Sequence, residues 1–175
     1  MCVETWISCE LEAPSEREIA GRIERVLARA PWLVAEEDGE CLGYAYAAAF
    51  RDRPAYAWAM ETSVYVAARH RRRGVARALY EALLELLRRQ GYVAAIAGIA
   101  VPNEGSVALH ESLGFRPAGT LDQVGFKLGR WIAVGYWRLR LQDPAHPPPP
   151  PRPLAELGAI DAPLWEAARG IRDRR

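Results

Sequence analysis

The stretch ETSVYVAARHRRRGVARALY, residues 61–80, decides how this chain is read. Over its first six residues alternate side chains point to opposite faces of a strand, so Glu61, Ser63 and Tyr65 share one face and Thr62, Val64 and Val66 the other. The run Arg69-His70-Arg71-Arg72-Arg73 follows and is closed by Gly74. Beyond the glycine, Val75, Leu79, Ala82, Leu83, Leu86 and Leu87 recur at intervals of three and four, the period of an amphipathic helix. Gly74 lets the backbone approach a ligand, and the first amides of a helix, aided by its dipole, make an anion site. The arginines add charge suited to a polyphosphate. Taken alone, the same run also reads as a solvated basic turn or a nucleic-acid patch. It is not a Walker loop, because no Gly-Lys-Ser/Thr follows, and the three spaced glycines of a dinucleotide fingerprint are missing. With 23 basic against 22 acidic side chains, the formal charge of +1 gives no broad positive field. A small phosphorylated ligand is expected, and a nucleic-acid partner is not.

Downstream, Gly91 is placed as a helix C-cap, and residues 92–101 read as a fully buried strand of the central parallel kind. Strand, helix and strand imply a right-handed crossover. Pro102 ends that strand, Asn103 begins a turn, and residues 106–113 read as a short helix stopped by Gly114. His110 lies on it; a lone histidine there also reads as a packing or surface residue. Residues 115–127 and 131–141 read as two long strands, the second alternating Trp137, Leu139 and Leu141 against Arg138 and Arg140. Composition changes at Asp143-Pro144. Residues 147–151 are a stiff polyproline spacer, and Leu154, Leu157, Leu164, Trp165 and Ile171 form a weak helical stripe interrupted by Pro163. The expected organisation is one domain over 1–143, a proline-rich linker over 144–153, and a tail over 154–175 that is a short helix or disordered.

Upstream, residues 32–36 and 42–46 flank Glu37-Asp38-Gly39-Glu40, with Asp-Gly placed for a hairpin. Arg51 and Arg53 stand two apart in what composition alone makes a charged loop, and Tyr56 and Trp58 lead into the strand of Glu61 as core aromatics. Residues 3–11 read as a short strand. Ser15 caps a helix with early acids Glu16 and Glu18 and a stripe of Ile19, Ile23, Val26 and Leu27. The three cysteines, Cys2, Cys9 and Cys41, show no metal-ligand or disulfide spacing, which fits a reducing cytosol and no metal. The start MCVETWISCE lacks a basic and apolar leader, and the apolar stretch near 93–101 suits a buried strand, so a cytoplasmic chain without a membrane partner is expected. At 175 residues and 50% hydrophobic content, a single domain has ample core.

RRRGVA, residues 71–76, resembles the Gln/Arg-x-x-Gly-x-Gly/Ala loop with which the GNAT superfamily of N-acetyltransferases holds the pyrophosphate of acetyl-CoA. VPNEGSVALHESLGF, residues 101–115, resembles that superfamily's next motif. With PWLVAEEDGE (31–40), YAWAMETSVYV (56–66) and GFKLGRWIAVGYWRLRL (125–141), the chain is similar to the phosphinothricin and methionine-sulfoximine N-acetyltransferase family over roughly residues 3–142.

The resemblance implies an α/β, layered α+β fold: a mixed, mostly antiparallel sheet with a splayed central parallel pair and flanking helices, lacking the family's first strand and helix. It implies that the backbone of Val64, Tyr65 and Val66 receives the acyl arm of acetyl-CoA, that Arg71, Arg72, Arg73, Gly74, Val75 and Ala76 hold its pyrophosphate, and that Asn103 joins the cofactor set. Arg51 and Arg53 would face the anion of an amino-acid substrate, with Tyr56 and Trp58 nearby, since a guanidinium fork suits a carboxylate or phosphinate. Cys9 stands where close relatives place an aromatic residue against the substrate. Glu61 becomes the base for the amine, and His110 or Tyr80 the source of the thiolate's proton. The implied reaction is direct acetyl transfer in a ternary complex, with no metal, by a homodimer joined through its last two strands. A non-catalytic acyl-CoA-binding module of the same fold is the alternative.

Overall fold

The structure is a computed structural model and describes residues 3–8 and 10–158. Ser15 opens the first helix, α1 (Glu16–Leu27): its hydroxyl accepts from the Glu18 amide while the Glu18 carboxylate accepts from the Ser15 amide at 2.7 Å, a complete capping box. The strands β1 (Trp32–Glu37) and β2 (Glu40–Ala49) form the expected hairpin, turning at Asp38 (φ 51) and Gly39 (φ 80). Then come β3 (Ala59–Val66), α2 (Val75–Gln90), β4 (Ala94–Val101), α3 (Glu104–Ser112), β5 (Arg116–Lys127) and β6 (Arg130–Arg140).

The six strands form one sheet in the order β1-β2-β3-β4-β6-β5, in which only β3 and β4 run parallel. The crossover between them is α2. Its stripe of Leu79, Leu83 and Leu87 is buried against Ala45, Ala47, Ala95 and Ala97 of the sheet, with Tyr80 and Phe115 among the largest fully buried side chains. Alanines on the central strands leave room for the helix's leucines, so the two layers fill one space. α1 packs on β1 and β2.

Three expectations change. Residues 3–8 and 10–11 form turns and bends, not a strand: the ammonium of Lys127, buried, takes the carbonyls of Ser8 (2.6 Å) and Glu10 (2.5 Å), which a strand would turn to a neighbour's amides. α3 begins at Glu104, two residues early, because Asn103 is its cap and accepts from the Ser106 amide at 3.2 Å. The proline-rich stretch is also docked: the Trp58 indole donates to the Pro149 carbonyl (2.7 Å), the Arg152 amide donates to the Gln90 carbonyl (2.7 Å), and the Gln90 side chain donates to the Arg152 carbonyl (2.9 Å). A short 3₁₀ turn at Leu154–Leu157 ends the described chain, so the rest of the expected tail helix, like Cys2 and Cys9, lies outside the described residues.

Candidate active site

The ladder between β3 and β4 lasts three pairs, Ala59 with Ala94, Met60 with Ala95 and Glu61 with Ile96. Beyond Glu61 each strand keeps its outer partner, β3 paired to β2 as far as Val66 and β4 to β6 as far as Val101. The two halves of the sheet therefore splay from Glu61 onward. At the crotch the Thr62 hydroxyl donates to the Ile96 carbonyl at 3.3 Å. Gly98 of β4 is exposed where the rest of its strand is largely buried, and a methyl group there would stand 3.4 Å from a Glu61 carboxylate oxygen. The open notch, not solvent at large, is what interrupts the expected buried strand.

Past the notch the chain reaches the basic turn. A 3₁₀ turn at Ala68–His70 leads to Arg72 (φ 63) and Gly74 (φ 84), and α2 starts at Val75. Two left-handed residues in three turn successive amides to one side, and the first amides of α2 have no partner within the helix, so the turn is a concavity suited to an anion. Arg71 and Arg72 are exposed, Val75 is buried and Ala76 is half-buried. Arg73 is bound to Glu37 at 3.0 Å and to His70 at 2.9 Å. The Asn103 side chain, at the far end of β4, is occupied as the α3 cap.

Glu61 is half-buried, and burial raises its carboxyl above the usual carboxylate range while the charge of Arg51 pulls it back. Behind it, on the helix side of the sheet, lies a closed relay. The His110 Nδ1 meets the Ser106 carbonyl at 2.7 Å, its Nε2 meets the Tyr80 hydroxyl at 2.8 Å, and that hydroxyl stands 3.3 Å from Thr62 Oγ1. A carbonyl only accepts, so Nδ1 carries the proton in the neutral ring, and Nε2 accepts from Tyr80. Burial lowers the histidine's affinity for a second proton, against the Ser106 carbonyl, and pushes the Tyr80 hydroxyl above its ordinary value despite the Thr62 contact.

On the opposite side a cleft of about 1050 Å³ opens between α1, the β1–β2 hairpin and the loop of Arg51 and Arg53, both of which line it with Tyr56. Its wall includes Trp32, Tyr44, Tyr46 and Tyr65; Trp32 stacks on Tyr46 at 4.4 Å, and Tyr44 leans on Tyr65 at 5.3 Å. Arg22 and Arg25 of α1, with Arg29 just beyond its end, line it from the other side, and Pro151, Arg152 and Pro153 complete its rim. Glu61 borders this cleft without lining it; its cross-strand partner Ala48 does line it. Trp58 faces the proline segment, not the cleft. The aromatic wall and these arginines went unread in the sequence, although Trp32, Tyr44 and Tyr46 sit on one face of a hairpin and Arg22, Arg25 and Arg29 recur at intervals of three and four.

Among the described residues no cluster of histidine, cysteine and acid could hold a metal, and no helix is long and apolar enough to cross a membrane. Residues 3–134 match the family described as an acetyltransferase (GNAT) domain. The chain is 41% identical over 151 residues to a phosphinothricin N-acetyltransferase of Streptomyces viridochromogenes, covering 86% of this chain and 82% of that one. It is 38% identical over 117 residues to an L-methionine sulfoximine/L-methionine sulfone acetyltransferase of Salmonella typhimurium, covering 67% and 68%. Among solved structures, a phosphinothricin acetyltransferase from Sinorhizobium meliloti in complex with acetyl-CoA superposes with a TM-score of 0.80 at 31% identity, covering 94% of this chain and 86% of that chain.

Proposed function

The chain belongs to the GNAT acetyltransferases, acetyl-CoA-dependent acyltransferases, and from that premise we propose that it acetylates the amino group of a small amino acid or analogue bearing an anionic group. The observation that carries this reading is the position of Glu61, at the crotch where the sheet opens, between the notch on one side and an arginine-lined cleft on the other. The residues fit acetyl-CoA: the notch accepts an extended arm along the backbone of Val64, Tyr65 and Val66, and the concavity from Arg71 to Ala76 accepts a pyrophosphate. Acetyl-CoA supplies an activated acyl thioester, and the transfer proceeds directly in a ternary complex.

An amine attacks only as the free base, so a nearby group must remove its proton. Glu61 takes that proton at its carboxylate. Burial makes the carboxylate a stronger base than an exposed glutamate, and the charge of Arg51, a smaller effect, favours its ionised form. A backbone amide near Val64 donates toward the carbonyl oxygen as charge develops there. The proton for the departing sulfur comes from the Tyr80–His110 pair, in which the Tyr80 hydroxyl donates to Nε2 of His110 while the Nδ1 proton of His110 is held by the Ser106 carbonyl. Arg51 and Arg53 bind the substrate's carboxylate or phosphinate, with Tyr56 at the rim.

Relatives act on phosphinothricin and on methionine sulfoximine or sulfone, and these head the candidate amines for this chain. A panel of those compounds, ordinary amino acids and simple alkylamines, followed by thiol release from acetyl-CoA, tests the proposal. Turnover is expected for amines with an anionic group. Turnover confined to simple alkylamines would remove the role given to the arginines, and none with any amine would leave the catalytic reading without support.

A further inference from the structure

The basic turn places Arg69, Arg71, Arg72 and Arg73 within five residues, and Arg72 adopts a left-handed conformation (φ 63) that non-glycine residues rarely hold. Such a residue persists where its surroundings over-determine it. The surroundings here come from the β1–β2 turn. Glu40 receives Arg69 and, at 2.6 Å, Nε2 of His70; Glu37 receives Arg73 at 3.0 Å; and Arg73 meets Nδ1 of His70 at 2.9 Å. Each ring nitrogen has a guanidinium beside it, Arg73 at Nδ1 and the Nε of Arg69 at 3.1 Å from Nε2, but only Nε2 also meets a carboxylate, at the shorter 2.6 Å; a carboxylate can only accept, so the imidazole proton lies on Nε2 and Nδ1 accepts from Arg73. His70 is 8% exposed, while Arg69, Arg73, Glu37 and Glu40 around it are all partly exposed. The His70 contact is the chief reason the Glu40 carboxyl titrates below its ordinary value, with Arg69 second.

We propose that His70 is a positioning residue for the anion-binding turn: by donating to Glu40 and accepting from Arg73 it fastens the turn to the tip of the β1–β2 hairpin, so that the amides around Arg72 and Gly74 are already aimed when a pyrophosphate arrives. This rests on the acetyl-CoA reading above. It also divides the basic run. Arg69 and Arg73 brace the turn against the hairpin acids, so neither is spent on the ligand, and the expected role of Arg73 in direct pyrophosphate contact becomes an indirect one. The like charges of four neighbouring arginines would otherwise push the turn open, and the two acids offset them where the chain bends most.

The test compares two acyl donors on the full chain. Acetyl-CoA carries the pyrophosphate; acetyl-pantetheine does not. In His70→Ala the Kd for CoA by calorimetry and the KM for acetyl-CoA should rise ~10- to 100-fold, the scale on which a misplaced binding group is felt, with kcat within about twofold. The kcat/KM for acetyl-pantetheine should stay unchanged, and His70→Asn, which keeps an acceptor for Arg73, should recover part of the loss. Equal losses with both donors, or an unaltered Kd, would overturn the role of His70. Glu37→Gln releases Arg73 at a partly exposed site without touching the imidazole, and serves if His70→Ala does not fold; a rise in KM confined to acetyl-CoA supports the brace, and no rise overturns it. Should the unaltered chain itself fail to bind CoA, the acetyl-CoA reading falls, a result distinct from unchanged binding in the variant.

Discussion

At Glu61 the burial that suits a base also works against the folded chain. Its folded pKa lies above the ordinary glutamate value, so the folded state holds its proton longer, and stability falls as pH rises from the ordinary value through the raised one. Glu61→Gln removes the buried charge. Its melting temperature should therefore exceed that of the unaltered chain at neutral pH and converge with it below the ordinary glutamate pKa, while turnover drops about 100- to 10,000-fold with CoA binding retained. Thermal melts across pH, set beside rates and calorimetry, check both halves; an unchanged rate would remove Glu61 from the mechanism. Tyr80 offers a second test at this scale. Tyr80→Phe leaves the buried Nε2 of His110 without its donor, at a cost of roughly 1–3 kcal/mol in urea unfolding. It should also slow turnover if this hydroxyl carries the sulfur's proton, and a full rate in the variant would return that role to another group.

The elements that could be read in advance are those whose reasons are local. Asp38-Gly39 supplies two left-handed residues for the hairpin, Ser15 and Glu18 cap α1 reciprocally, and the leucines of α2 repeat at its period. Gly74, at φ 84, is the junction between basic turn and helix, and an alanine there would bear the left-handed penalty of roughly 1–2 kcal/mol. Gly74→Ala should lower stability by that order in chemical denaturation and weaken CoA binding at the same time; retained affinity would mean that the turn's shape is not what binds. Elements whose reasons lie far away in sequence were misread. Residues 3–11 have strand composition, but Lys127 claims their carbonyls from 117 residues on. The proline segment has spacer composition, yet Gln90 and Trp58 hold it down. His70 looked like one more charge in a basic run because its partners sit on another hairpin.

Across the whole molecule, most of the fold was legible because the order of strand, turn, helix and strand around residues 61–101 leaves few topologies open. The candidate site was legible only in part: its backbone features follow from that order, whereas the aromatic wall and the arginines in and just after α1 arise where separate elements converge. The β5–β6 hairpin and its turn expose Leu121, Val124, Phe126, Leu128 and Trp131, each by more than half, with Phe126 and Trp131 packed edge to face at 5.3 Å. Apolar area of that kind on one hairpin suits a second copy of the chain, which the homodimer expected from the sequence resemblance would supply. Phe126→Asp should shift sedimentation from dimer to monomer, and a chain that sediments as a monomer before any substitution would discard the homodimer. The splay has one more consequence. An unladdered strand flank normally invites pairing with foreign chains, and proteins blunt theirs with charge, bulges or covering loops. Here the flanks beyond Glu61 and Ile96 lie inside the sheet and face each other across a wedge whose narrow end is the three-pair ladder. A second polypeptide strand would have to enter that wedge edge-on between two twisted half-sheets. A thin, unbranched chain meets no such obstacle, so the same geometry that offers backbone hydrogen bonds to a ligand withholds them from aggregation.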